Sequence, residues 1–343
     1  MSSVRDIIRQ NSNLRPRNPQ EIQFIHHLSS YWDGFRLYKE DAVLRKAKSV
    51  VPIEEMEAKC IEKLAQLALD STESEKRSSS LSSSEKYGKN DIFFQLLLEW
   101  FKKDFFKWYD CGFCENCQQK MTFQSRQQPN HEELVWLASI VEVYQCSKCE
   151  MLERFPRYNH PLKLLETRKG RCGEWRNCFT AICYAFNYEM RLVDDWNDHV
   201  WNEVYCQSQK RWIHCDCCEN AYDTPLMYET GWGKKETYCI ALSETEVQDV
   251  TWRYTREPEQ VISRREFLCR PSWLNSVLLK LTKSLQEKLS PERRKFLTDR
   301  RIAEMVDFVW LPGSLKEVKE DELKGRISGA VNWKLSRNEM PEV

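Results

Sequence analysis

Gly170-Arg171-Cys172-Gly173-Glu174-Trp175 sets a cysteine directly ahead of an amphipathic run with Trp175, Phe179, Ile182, Cys183 and Phe186 on one face. At a helix start, unpaired backbone N–H groups and the positive end of the helix dipole favour the thiolate. The same donors can receive an oxyanion. Taken alone, such a cysteine is more often merely packed. Downstream, the runs 199–206 and 211–217 flank the polar turn Gln207-Ser208-Gln209-Lys210. Pairing Cys206 with Arg211 puts Trp201 opposite Asp216 and His199 opposite Cys218. Side chains alternate along a strand, so His199, Trp201, Glu203 and Asp216 share one face, with His199 and Asp216 diagonal neighbours. A slip of one residue would separate the two. The chain order Cys172, His199, Asp216 is that of a nucleophile, its base and the base's orienter, which points to nucleophilic catalysis by a cysteine.

A second constellation is made of thiols. Cys114-Glu115-Asn116-Cys117 and Cys146-Ser147-Lys148-Cys149 repeat Cys-x2-Cys across 28 intervening residues. Each pair offers two thiolates from a tight turn, and two pairs complete a tetrahedral four-sulfur zinc site. Such a site has no open position, so its role is structural. Cys111 adds a third thiol at the same interval, which leaves Cys111/Cys114 as a rival pair.

The elements that must carry these residues are legible by period. Residues 1–70 read as helical, with Pro52 in a first turn and apolar residues at Ile53, Met56, Cys60, Ile61, Leu64, Leu67 and Ala68. The run Ser78-Ser79-Ser80-Leu81-Ser82-Ser83-Ser84 within 71–90 reads as a linker. A helix begins near Asn90-Asp91 and continues to Phe105, with a wide apolar stripe. Residues 134–145 favour a strand, as do 190–196, 199–206 and 211–217. The segment 274–309 returns to helix, with Pro291 opening its second half. The units expected are 1–90 (helical, ending in the linker), 91–165 (a helix and the zinc-binding subdomain), 166–260 (the catalytic core) and 261–343 (helices and tail). The fold class is α+β.

Composition narrows the field. Among 343 residues, 52 Lys+Arg balance 52 Asp+Glu, which argues against a general nucleic-acid binder. No apolar run reaches the roughly 18 residues that a membrane span needs. The first residues are charged where a signal peptide is apolar, and no Asn-x-Ser/Thr sequon occurs. A reducing compartment is therefore expected, and there 15 cysteines point to metal binding and catalysis more than to disulfides.

With these residues on the page, the chain resembles the cytoplasmic peptide:N-glycanase family within the transglutaminase-like superfamily. The likeness lies in the Cys172 stretch, Asp198-His199-Val200-Trp201, and Trp212-Ile213-His214-Cys215-Asp216-Cys217-Cys218-Glu219. Arg154-Phe155-Pro156-Arg157-Tyr158-Asn159, the two Cys-x2-Cys pairs, and Gly325-Arg326-Ile327-Ser328-Gly329 with Trp333-Lys334 also match, over roughly residues 91–339. The resemblance implies a transglutaminase-like, papain-like core, in which a cysteine-bearing helix packs on an antiparallel sheet. An inserted zinc subdomain and extra terminal helices complete it. It implies Cys172, His199 and Asp216 as the triad, one structural zinc on Cys114, Cys117, Cys146 and Cys149, and Glu219, Glu203, Trp201 and Arg191 near the substrate. It further implies a hydrolase that releases N-glycans from denatured or misfolded glycoproteins, upstream of proteasomal degradation. A ubiquitin-receptor proteasome shuttle would be the partner, and the cytoplasm the location, with the nucleus as a second. The rivals are a transglutaminase or cysteine protease using the same triad, and a non-catalytic degradation scaffold. Arg176 departs from the family's small residue, Cys215 and Cys217 flank Asp216 unusually, and Asn338 stands in place of a glycine.

Overall fold

The computed structural model describes residues 3–32, 34–74, 88–310 and 316–340; the Ser-rich run 78–84 lies outside them. The amino-terminal region is helical as expected: α1 (Val4–Arg9), α2 (Pro19–Trp32), α3 (Asp41–Val50) and α4 (Ile53–Ser74). Met56 and Cys60 are buried whereas Ile61 is 61% exposed, so the buried stripe of α4 is narrower than its period suggests. Next comes α5 (Lys89–Trp100), whose Ile92, Phe94, Leu96, Leu97 and Leu98 are all buried. The chain then widens into a π-helical turn over Phe101–Phe105, and β1 (Lys107–Trp108) follows.

The metal-binding segment is a small antiparallel sheet. Its strand β2 (Met121–Gln127) leads to α6 (His131–Val135), then β3 (Val141–Cys146) and β4 (Leu152–Pro156), in the order β2-β3-β4. The strand expected over 134–145 therefore starts only at Val141. Leu134 and Val135 lie in α6 because Asn130 and Glu133 form a capping box: Asn130 Oδ1 accepts from the Glu133 N–H at 2.9 Å, and Glu133 Oε2 accepts from the Asn130 N–H at 2.7 Å.

After α7 (Pro161–Thr167), the two-residue strand β5 (Lys169–Gly170) pairs in parallel with β1 and feeds α8 (Cys172–Ala185). The main sheet is formed by β6 (Met190–Asp195), β7 (His199–Cys206), β8 (Arg211–Asp216), β9 (Ala221–Tyr222), β10 (Cys239–Leu242) and β11 (Val247–Asp249). A one-turn helix, α9 (Met227–Thr230), lies between β9 and β10. The order is β11-β10-β6-β7-β8-β9, every pairing antiparallel. The fold class is α+β, as expected. The helices α10 (Pro258–Arg265), α11 (Pro271–Gln286), α12 (Pro291–Trp310) and α13 (Val331–Ser336) close the chain, with prolines opening the first three. No helix among the described residues is long and apolar enough to cross a membrane.

Two cores share the main sheet. Trp175, Phe179 and Ile182 of α8 cluster with Leu192, Val204, Ile213 and Cys215 on one face. Val193 and Trp201 cluster with Tyr228, Trp232, Ala241 and Tyr254 on the other. The alternation of the strands sets this division.

Candidate active site and metal centre

The position of Cys172 is set by the residues on either side of it. A Cβ at Gly170 would come within 2.3 Å of Glu174 Cβ, so only glycine lets the chain turn into α8 here. Glu174 Oε2 accepts from the Arg171 N–H at 3.0 Å and caps the helix. The Arg157 guanidinium grips both oxygens of that carboxylate at 2.6 and 2.9 Å. Trp175 Nε1 donates to Gly170 O at 3.1 Å. Cys172 is thus the first residue of α8 and is partly exposed.

The β7–β8 hairpin pairs Cys206 with Arg211 and Glu203 with His214, the register expected from the sequence. His199 opens β7 and Asp216 closes β8, at one end of the sheet. His199 Nε2 lies 2.7 Å from Asp216 Oδ2. Asp216 is further held by the Cys218 N–H at 2.8 Å and the Tyr228 hydroxyl at 3.1 Å. His199 Nδ1 is buried with no hydrogen-bond partner among the described residues, so it is the nitrogen open to proton traffic. Cys172 interacts electrostatically with Asp198, next to His199, and with Cys218, two residues past Asp216. The thiol therefore stands at the same end of the sheet. Burial, then the positive charges of Arg326 and Lys234, push His199 well below its ordinary value, so the imidazole is neutral at neutral pH. Burial raises the Cys172 thiol, and Arg326 opposes that rise.

The residues expected near substrate fare differently. Arg191, Trp201 and Glu203 are fully buried, so none of them lines an open cleft. Arg191 Nε donates to Glu203 at 2.8 Å, and its NH1 donates to Glu304 of α12 at 3.0 Å. Arg253 Nε and the Tyr254 hydroxyl reach the other Glu203 oxygen at 2.9 and 2.7 Å. Trp201 stacks on Tyr228 at 4.1 Å between ring centroids. The shared face was read correctly, but α12 and the turn at 251–254 cover its far part. Glu203→Gln should accordingly lower stability by about 3 kcal/mol, because it leaves buried guanidinium charge uncompensated. A thermal melt reads this; an unchanged Tm with a raised KM would restore a substrate role. Glu219 does sit by the site, and its carboxylate accepts from the Ile327 and Ser328 N–H groups at 2.7 and 3.1 Å.

Sequence reasoning gave no role to Tyr228, His214 or Arg326. His214 Nε2 lies 2.7 Å from the Tyr228 hydroxyl, which continues the polar chain behind Asp216. Asn338 has φ 55°, a left-handed conformation that asparagine tolerates where the family carries glycine. Arg176 is buried and donates to Val193 O at 3.0 Å. Cys215 and Cys217 fall in the α8-side core, away from the His199 face.

Cys114, Cys117, Cys146 and Cys149 converge with all four sulfurs within 4.8 Å of one another. The nearest pairs, Cys117–Cys146, Cys114–Cys149 and Cys117–Cys149, lie at 3.3, 3.4 and 3.5 Å. Tetrahedral coordination with metal–sulfur bonds of about 2.3 Å sets sulfurs about 3.7 Å apart, so the four fit one four-coordinate metal ion. Backbone N–H groups of Cys149 and Lys148 hold Cys146 down at about 6. Cys111 stands outside the quartet, its thiol donating to Met121 O, which removes the rival pair. The centre is linked to the start of α8, since Glu142 on β3 accepts from Arg171, the residue before Cys172, at 3.0 and 2.6 Å. Cys146→Ser is expected to lose the metal, lower the Tm and slow the enzyme, while Cys111→Ser keeps all three. Elemental analysis with melts decides it; full metal content in Cys146→Ser at wild-type Tm contradicts the assignment.

Residues 120–217 match the model of the transglutaminase-like superfamily. Curated proteins named peptide-N(4)-(N-acetyl-beta-glucosaminyl)asparagine amidase are similar along most of this chain. That of Gallus gallus is 44% identical across 88% of this chain and 44% of its own length. That of Homo sapiens is 44% identical across 89% and 44%. That of Arabidopsis thaliana is 39% identical across 92% and 42%. The chain spans less than half the length of these relatives. A solved structure of Rad4–Rad23 bound to a 6-4 photoproduct UV lesion aligns at a TM-score of 0.46 and 14% identity, over 90% of this chain and 61% of that one. A likeness of that depth carries no functional meaning. The stretch similar to the transglutaminase-like superfamily, residues 120–217, takes in the cysteine-headed helix α8 and the β7–β8 hairpin of the antiparallel sheet.

Proposed function

We propose that this chain is a peptide:N-glycanase, a cysteine amidase that hydrolyses the bond between an asparagine side chain and its N-linked glycan. One observation carries the reading: a His199–Asp216 pair with Nδ1 left open, at the sheet end where Cys172 heads α8. The names of the similar curated proteins support the choice of amide. Cys172 Sγ attacks the side-chain carbonyl carbon as His199 Nδ1 takes the thiol proton. The carbonyl oxygen becomes an oxyanion facing the N–H groups of the α8 start. His199 returns that proton to the departing glycosylamine nitrogen, the C–N bond breaks, and a thioester remains. Water then attacks the thioester with His199 as base, leaving aspartate in the peptide and a free thiol.

The rest of the reading follows from the same residues. The metal is zinc, held structurally by Cys114, Cys117, Cys146 and Cys149, since four sulfurs leave no position for chemistry. The substrates are denatured or misfolded N-glycoproteins, because an asparagine on a folded surface cannot reach a thiol set at the foot of a sheet. The cytoplasm, with the nucleus as a second location, rests on the family resemblance and on a sequence whose 15 cysteines suit a reducing compartment. A ubiquitin-receptor proteasome shuttle as partner rests on the family resemblance. Incubation with a denatured high-mannose glycoprotein should release free glycan and convert the attachment asparagine to aspartate. Peptide cleavage or glutamine–lysine cross-linking in its place would make the chain a protease or a transglutaminase. Inertness in all three assays would make it a scaffold.

A further inference from the structure

His214 and Asp216 lie two residues apart on β8, so both side chains point to the same face of the sheet. His214 is buried, and no step of the amide chemistry uses it. One short segment holds both of its ring nitrogens. The Thr224 N–H donates to Nδ1 at 3.4 Å, and Nε2 lies 2.7 Å from the Tyr228 hydroxyl of α9. A backbone N–H can only donate, so Nδ1 is the bare nitrogen. Burial pushes His214 down to about 3, so the ring is neutral and its single proton sits on Nε2. Nε2 therefore donates to the Tyr228 oxygen, and the hydroxyl's own proton goes to the acceptor on its other side. That acceptor is Asp216 Oδ2 at 3.1 Å. Tyr228 is held in this pose: its ring is fully buried, stacked on Trp201 at 4.1 Å and met edge-on by Trp232 and His214 at 5.1 and 5.4 Å. The hydrogen bonds thus run one way, from Thr224 through His214 and Tyr228 into Asp216. His199 Nε2 meets the same Asp216 oxygen at 2.7 Å.

We propose that Tyr228 is a positioning residue whose hydroxyl, aimed by His214, keeps Asp216 ionised and His199 unprotonated, ready to act as base. Asp216 is fully buried, and among the described residues no lysine or arginine forms an ion pair with it. Its charge rests on three donors: His199 Nε2, the Cys218 N–H at 2.8 Å and the Tyr228 hydroxyl. Burial raises the Asp216 carboxyl, and the bond from Tyr228 opposes that rise. The hydroxyl turns the positive end of its dipole toward the His199–Asp216 pair. It therefore opposes proton uptake whichever atom of the pair would hold the proton. The other titratable groups around the pair are Asp195 of β6, Lys234 ahead of β10, Cys218 and Glu219 after β8, and Arg326 and Glu339 near the carboxy terminus. Cys172 heads α8 at the same end of the sheet. Among the described residues, the Tyr228 hydroxyl bonds only to His214 and Asp216, so its removal leaves those other groups in place.

The inference rests on His199 and Asp216 as base and orienter but not on the substrate, so one arm of its test uses none. Nitrogen-15 NMR of the 6 histidines in the full chain, assigned by single histidine-to-glutamine variants, reads which ring nitrogen carries each proton. In the wild-type chain His214 should carry its proton on Nε2, with Nδ1 bare. A proton on Nδ1 would turn the Tyr228 hydroxyl away from Asp216 and overturn the proposal. Tyr228→Phe keeps the stacked ring and removes only the donor. It should raise the pH at which His199 takes up a proton by about one unit, read in the same spectra. Glycan release from a denatured glycoprotein is the second arm. There the acid limb of kcat/KM should move up equally, while the plateau stays within about twofold of wild type. At a pH below both limbs the loss is then about tenfold. An equal loss at every pH with an unmoved limb would make Tyr228 a packing residue and overturn the proposal, as would profiles that overlay. If Tyr228→Phe fails to fold, the wild-type His214 spectrum decides. A shifted His199 titration in a chain that releases no glycan would sink the glycanase reading and leave this one standing.

Discussion

Cys172→Ala should release no measurable glycan while melting at the wild-type temperature. Removal of a triad nucleophile costs on the order of 10⁶-fold, and nothing nearby can substitute for it. The neighbouring thiols Cys217 and Cys218 are 1% and 0% exposed, and burial pushes Cys218 well above the ordinary thiol range. The fold should survive because alanine keeps the Cβ of this partly buried residue, and Glu174, Arg157 and Trp175 hold the helix start without the thiol. Cys172→Ser should be nearly as inactive. A serine hydroxyl is far less acidic than a thiol, so His199 alone cannot activate it in the same surroundings. Purified protein, a denatured glycoprotein and a melt suffice; a Cys172→Ala chain that still turns over would place the nucleophile elsewhere.

The parts of the site legible in the sequence are those that local rules determine. The β7–β8 hairpin could be registered because a four-residue polar turn fixes the pairing and the pleat then fixes the face. The cysteine quartet could be read because a tight turn dictates the spacing of two thiolates. The start of α8 could be read because an apolar period, Trp175, Phe179, Ile182, Cys183 and Phe186, begins directly after Gly170-Arg171-Cys172-Gly173-Glu174. What stayed hidden depends on partners far along the chain. Glu203 was placed on the correct face, but Arg253, which reaches it, and Glu304, which pairs with Arg191, come from segments no periodicity connects to the sheet. Arg326 lay in a noted motif, yet nothing local tells that its guanidinium will sit 4.8 Å from the Trp232 ring that packs on His199. The strand expected from residue 134 failed for a local reason: Asn130 and Glu133 carry a helix-start signal that outweighs the β-propensity of Leu134 and Val135.

The hairpin also determines how the base must fail. In Asp216→Asn, one side-chain atom must still accept from the Cys218 N–H, which donates to Oδ1 at 2.8 Å in the wild-type chain. That need turns the new amide's oxygen toward Cys218 and its NH₂ toward His199 Nε2. A donor facing Nε2 makes Nε2 the acceptor, so the imidazole proton moves to Nδ1. Nδ1 is the atom that must take the Cys172 proton, and once protonated it cannot. The expected loss in kcat is on the order of 10³–10⁴-fold, the size seen when another triad's aspartate is replaced by asparagine and the wrong tautomer results. KM and Tm should change little, because the hairpin register and the α8-side core are untouched and the Tyr228 hydroxyl, losing Asp216 Oδ2 as acceptor, still has its His214 Nε2 partner at 2.7 Å. Rate, KM and melting temperature measured together separate this account from simple unfolding. An Asp216→Asn chain with near wild-type kcat would mean that Asp216 does not orient His199, and another acceptor for Nε2 would have to be found.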